Sequence, residues 1–158
     1  MKETFTSLNT WLRNLEKQKL PDYDKLPEVK LYMEQVVDYV EASIKPFKLD
    51  NKPVLTSFMV NNYVKSGIIR APKDRKYTKI QVSHLIALCM LKSITSLENL
   101  DLLLDEKSSN FKNDITYDFF KKVEEETMIN VLHKTKTRFD TIGKRASSDR
   151  NKAKHDPE

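Results

Sequence analysis

Glycine is nearly missing from this chain: two residues in 158, Gly67 and Gly143. Neither a GxGxxG turn nor a Walker-type loop can be built from that pair, so glycine-rich phosphate cradles are excluded. Cysteine is scarcer still. Cys89 stands alone, which rules out an intrachain disulfide and fits a reducing, cytoplasmic setting. Long hydrophobic runs are absent. The longest, Leu85 to Leu91, has seven residues, and a membrane span needs about 20. The first ten residues, MKETFTSLNT, lack the apolar centre of a signal peptide. His84, His133 and His155 are scattered, with no metal-ligand spacing among themselves or with Cys89, so no metal or other cofactor is expected. Glu124, Glu125 and Glu126 read as a solvated helix face, and no enzyme class has a recognisable signature here.

What is present is an uneven charge. Apolar residues make up 39% of the chain and charged residues 32%, as in an ordinary folded domain, and the length suits one domain. The net charge is +5, but its distribution matters more. Residues 1–55 carry nine basic and nine acidic side chains, residues 56–92 seven and one, and residues 93–158 twelve and thirteen. The whole excess sits in 37 residues, the footprint expected of a nucleic-acid contact. A solvated basic face would give the same count, so the arrangement inside the stretch has to decide.

The periodicity predicts a mainly α-helical protein. Phe5, Leu8, Leu12 and Leu15 mark a helix over 7–19; Met33, Val36, Val37, Val40 and Ile44 mark a second over 28–45, stopped by Pro46. Thr56 caps a short helix over 56–66, and Gly67 sits where a C′ glycine ends one. Residues 68–77 read as a small β-hairpin. Thr78 caps a helix over 79–93 that is apolar nearly all round from Leu85 to Leu91, so it belongs at the centre, with Cys89 a buried structural thiol. Thr95 to Glu98 opens a helix over 96–105, and a long helix follows over 114–142. Residues 143–158 are polar and aperiodic and read as a disordered tail, leaving 1–142 as one domain.

Two neighbouring elements carry the functional reading. On the helix over 56–66, Ser57, Asn61 and Lys65 recur at i, i+4 and i+8 and share a side, with Asn62 beside them, while Met59 and Tyr63 turn away. Asparagine can pair with adenine, and lysine suits guanine or phosphate. The next segment carries Arg70, Lys73, Arg75 and Lys76, and Lys79 starts the helix after it. A polar helix followed by a basic hairpin is a helix-and-wing arrangement, with the helix in a major groove and the wing along the backbone. Double-stranded DNA is the partner this predicts. The alternative is a protein-interaction module on the same scaffold that does not touch DNA.

The stretch Thr56-Ser57-Phe58-Met59-Val60-Asn61-Asn62-Tyr63 through Gly67-Ile68-Ile69 resembles the recognition-helix segment of MerR-type regulators, and Lys73 to Thr78 resembles the wing of the same family. Asn61 stands where that pattern has arginine, and Asn62 where it has the first of two tyrosines. Leu26-Pro27-Glu28, Leu31 to Val36, Met59 to Lys65 and Lys76-Tyr77-Thr78 are closer to a bacterial family, domain of unknown function eighteen-thirty-six, over roughly residues 7–140. That resemblance implies a MerR-like winged helix-turn-helix fold and no characterised activity; the function expected here, a DNA-binding transcriptional regulator, rests on the helix-and-wing pattern, and the MerR likeness implies a long C-terminal helix that pairs two copies. Met128, Leu132, Thr135, Phe139 and Ile142 offer a 4-3-4-3 seam for such a homodimer through 114–142, although Ile115, Phe119 and Val123 upstream run at 4-4 and break its continuity; the alternative is that this helix folds back on the monomer's own core.

Overall fold

The computed structural model describes residues 2–48, 50–92, 94–96, 99 and 113–153. In chain order the elements are α1 (Lys2–Leu15), β1 (Leu31–Tyr32), α2 (Met33–Ile44), α3 (Ser57–Lys65), β2 (Lys76–Tyr77), α4 (Lys79–Leu91) and α5 (Asn113–Ala153). Short 3-10 turns at Tyr23–Lys25 and Lys45–Phe47 lie in the connections. The protein is thus mainly helical, with a long C-terminal helix and, among the described residues, one antiparallel strand pair. No described helix is long and apolar enough to cross a membrane. Two compact units are distinguished, Lys19–Val123 and a second formed by Met1–Gln18 with Glu124–Glu158.

The unit from Lys19 to Val123 is organised by α4. Eight of its thirteen residues are buried, from Gln81 through Cys89 with only His84 excepted. A helix with no polar side has to be enclosed, and α2 packs directly on it. Val36, Val40 and Ile44 of α2, Val60 and Tyr63 of α3, and Tyr117 of α5 complete the core, with Val37, Met59 and Leu91 half-buried at its edge. Each Leu or Ile enclosed in this way contributes about 1.5–3 kcal/mol. The core residues expected from periodicity therefore come together.

The strand pairing departs from the expected hairpin. β2 pairs with β1, Leu31 opposite Tyr77 and Tyr32 opposite Lys76, so residues 31–32 are extended and α2 starts only at Met33. Gln35 Oε1 holds that start by accepting from the Tyr32 N–H at 2.9 Å. Leu31 and Tyr77 are both buried, and joining them satisfies one apolar face. Residues 68–70 do not pair with β2 because their backbone is used elsewhere. The Ile69 N–H donates to Tyr63 O at 3.1 Å, and the Arg70 carbonyl accepts from Gln81 Nε2 at 2.8 Å.

In the second unit, α1 begins earlier and ends earlier than the 7–19 expectation, and Leu12, Leu15 and Leu132 are buried. Leu132 is the second of the five seam positions expected to pair two copies. The single chain already covers it, while Ile142 at the seam's end is 56% exposed. The helix over 114–142 continues to Ala153, so residues 143–153 are helical and not an irregular tail. They lack an apolar period but contain Lys, Arg and Ala, which sustain a helix without one. The expected helix over 96–105 falls almost wholly outside the described residues, as do 154–158.

Candidate nucleic-acid interface

The position of α3 is set at its two ends more than along its side. Thr56 is extended and its Oγ1 accepts from the Met59 N–H at 3.2 Å, a side-chain cap as its residue type predicts. Just before it, Glu41 of α2 accepts from the Val54 and Leu55 N–H groups, the latter at 2.8 Å. The Lys92 ammonium donates to the Val54 carbonyl, whose oxygen also lies 4.0 Å from Cys89 Sγ. At the far end Gly67 has φ +84°, a conformation open to glycine without Cβ strain, and its N–H returns to Val64 O at 3.1 Å.

Gln81 then fixes the segment beyond Gly67. It is 5% exposed, and its amide is used at both ends: Oε1 accepts from the Thr78 N–H at 2.7 Å and the Thr78 hydroxyl at 3.0 Å, while Nε2 reaches the Arg70 carbonyl. One buried side chain thus ties the segment leaving α3 to the start of α4. Sequence reasoning misses it, although a Gln three residues after a capping Thr is a recognisable signal.

The outward side of α3 is polar with one exception. Ser57, Asn61, Asn62 and Lys65 are all exposed, while Val60 and Tyr63 face the core. Burial raises the Tyr63 phenol above its ordinary value. The exception is Phe58, 74% exposed. It falls at i−3, i−4 and i−7 from Asn61, Asn62 and Lys65 and so stands among them. The sequence pattern singles out its neighbours and leaves Phe58 unassigned.

The basic segment beyond α3 forms a tight turn. Lys76 N–H donates to Lys73 O at 3.0 Å across Asp74 and Arg75, whose φ angles are +54° and +60°. Positive φ at both central residues is the requirement of a type I′ turn, usually met by Asn-Gly. Lys73 and Arg75 are exposed on it, as is Arg70 before it. Lys76 is half-buried, its ammonium 5.0 Å over the Tyr32 ring.

Lys79 does not join the exposed set. Its ammonium pairs with Glu28 and lies 4.9 Å from the centre of the Tyr23 ring, leaving the side chain 14% exposed. A carboxylate and a ring face replace the water that the cation gives up, so its charge is spent inside the unit. Lys79, expected among the contact residues, is thus engaged by an acidic side chain of the same unit.

A cleft of about 670 Å³ lies before α3, lined by Lys45, Lys48 and Lys52 together with Thr56 and Ser57. Glu41 and Asp50 share it. Lys48 holds Asp50 at 2.9 Å and keeps its carboxyl below the usual range. Among the described residues no His, Cys, Asp and Glu cluster is arranged to hold a metal ion. Burial pushes the Cys89 thiol up to about 11, so it is an inert part of the core at neutral pH.

A family model described as a domain of unknown function, DUF1836, matches residues 21–126. No curated protein and no solved structure matches the chain.

Proposed function

The chain belongs to the DUF1836 family, and from the geometry of its α3 segment we propose that it is a DNA-binding regulator whose α3 enters the major groove of a duplex while the Lys73–Lys76 turn lies along the phosphate backbone. In this reading α2, α3 and the turn act as a winged helix-turn-helix of the MerR kind, with β1 in place of the hairpin's first strand. The observation that carries the proposal is the outward side of α3. It presents Ser57, Asn61, Asn62 and Lys65 to solvent, from a stretch with seven basic residues and one acidic. A short helix pinned at both ends and polar on its free side, Phe58 excepted, is suited to meeting base edges. The basic turn supplies the electrostatic attraction that base contacts alone lack.

Reversing charge with Lys73→Glu and Arg75→Glu tests this. Duplex affinity falls, and the log–log salt slope drops by roughly 0.9 for each phosphate no longer neutralised. An unchanged slope would take the turn out of the interface. Absence of any duplex binding at low salt would end the proposal.

A second reading, a protein-interaction module, draws on a different surface of the same unit. Ile115, Phe119 and Val123 are exposed at i, i+4 and i+8 on α5, and Phe119 and Val123 border a largely apolar cavity of about 230 Å³. That reading predicts no salt-dependent duplex binding, so the same titration separates the two.

A further inference from the structure

An exposed phenylalanine in the middle of a polar face needs a reason. Phe58 is 74% exposed and stands among Asn61, Asn62 and Lys65, on the side of α3 that the DNA reading turns toward the duplex. We propose that α3 is a reader of A·T base pairs, with Phe58 against the thymine methyl group and an asparagine, Asn61 or Asn62, on adenine. The inference rests on the DNA reading and narrows it to a class of target sequence.

The chemistry of the face selects the base pair. An asparagine amide offers one acceptor and two donor hydrogens from a planar group. Adenine presents an acceptor, N7, beside a donor, the N6 amino group, and so matches the amide bidentately. Guanine presents two acceptors, N7 and O6, and is best met by an arginine or lysine. α3 has no arginine, and its single cation, Lys65, is at its last position. Cytosine's exocyclic amino group calls for a carboxylate, and α3 has none. The thymine methyl is the one apolar group on the major-groove floor. It is what an aromatic ring in this position can remove from water, with its own exposed face, at a gain.

Alternating dA·dT, dA·dU and dG·dC duplexes of equal length, titrated against the full chain, test the assignment. Uracil is thymine without the methyl, so dA·dU isolates the Phe58 contact. The wild type binds dA·dT roughly tenfold tighter than dG·dC, and roughly fourfold tighter than dA·dU, the worth of about one buried methyl. Phe58→Ala binds dA·dT and dA·dU equally and keeps the wild-type salt slope. Because Phe58 is outside the core, that variant folds. Replacing adenine by 7-deazaadenine, which lacks the N7 acceptor, weakens the wild type but leaves the doubly substituted Asn61→Ala, Asn62→Ala chain unaffected. Equal binding of all three duplexes with a normal salt slope would overturn the A·T assignment while leaving the DNA reading in place. So would a Phe58→Ala chain that still separates thymine from uracil. No binding to any duplex would overturn both.

Discussion

Helices α3 and α4 each start on a threonine, Thr56 and Thr78, and they are held in opposite ways. α4 buries eight of its thirteen residues; α3 buries two of nine. Packing over most of its surface locates α4. For α3, packing supplies one narrow contact, Val60 and Tyr63, and polar side chains from other elements fix its ends: Glu41 and Lys92 before it, Gln81 after it. A helix that leaves one face in solvent cannot be secured by enclosure, so its position has to be set from outside the helix.

The largest effect is expected at α4. Leu88 is fully buried, and Leu88→Ala removes a side chain enclosed on all sides by the core. The expected loss is about 2–5 kcal/mol in urea unfolding. A loss under about 1 kcal/mol would mean that α4 is not the organising element.

The ties at α3 give a smaller and more local effect. Val54 and Leu55 are buried, and Glu41→Ala leaves their N–H groups without the acceptor they use. That costs about 1–3 kcal/mol. Amide hydrogen exchange tells the two helices apart: α3 protection falls further than α4 protection in Glu41→Ala, whereas Leu88→Ala lowers both together. Equal loss across the two helices in Glu41→Ala would erase the distinction between a packed and a pinned helix.

The same distinction explains what is legible in the sequence. Local signals locate α4 by its unbroken apolar run from Leu85 to Leu91, and α3 by Thr56 and Gly67. They also place Ser57, Asn61, Asn62 and Lys65 outside and Tyr63 inside. What escapes depends on partners far along the chain. Leu31 and Tyr32 look like the first turn of a helix until Tyr77 and Lys76 pair with them. Lys79 counts as one more free cation until Glu28, 51 residues earlier, takes its charge. Phe58 escapes for the opposite reason. Apolar residues are expected to be buried, and nothing local marks one that is left outside. The terminal part of α5 is misjudged because an aperiodic polar segment with good helix formers gives the same pattern as a disordered one.

The smallest change in stability falls at the turn beyond α3, and there its sign should reverse. Arg75 is held at φ +60° in a backbone region that costs a residue with a Cβ about 1–2 kcal/mol. Arg75→Gly relieves that cost, and loses about 0.5–1 kcal/mol through the greater freedom of glycine in the unfolded chain. The net expectation is a gain of up to about 1.5 kcal/mol. If the turn lies on a phosphate backbone, the more stable variant binds duplex less well, with its salt slope reduced by roughly 0.9. Lys79→Gln is the matched control, because it removes the same charge from a cation already paired with Glu28. It should lower stability and leave the salt slope as it was. A conformation kept at a cost to the fold, at a residue whose removal weakens binding, is what separates an interface arginine from an ordinary charged turn. Equal slopes for Arg75→Gly and wild type would make it the latter.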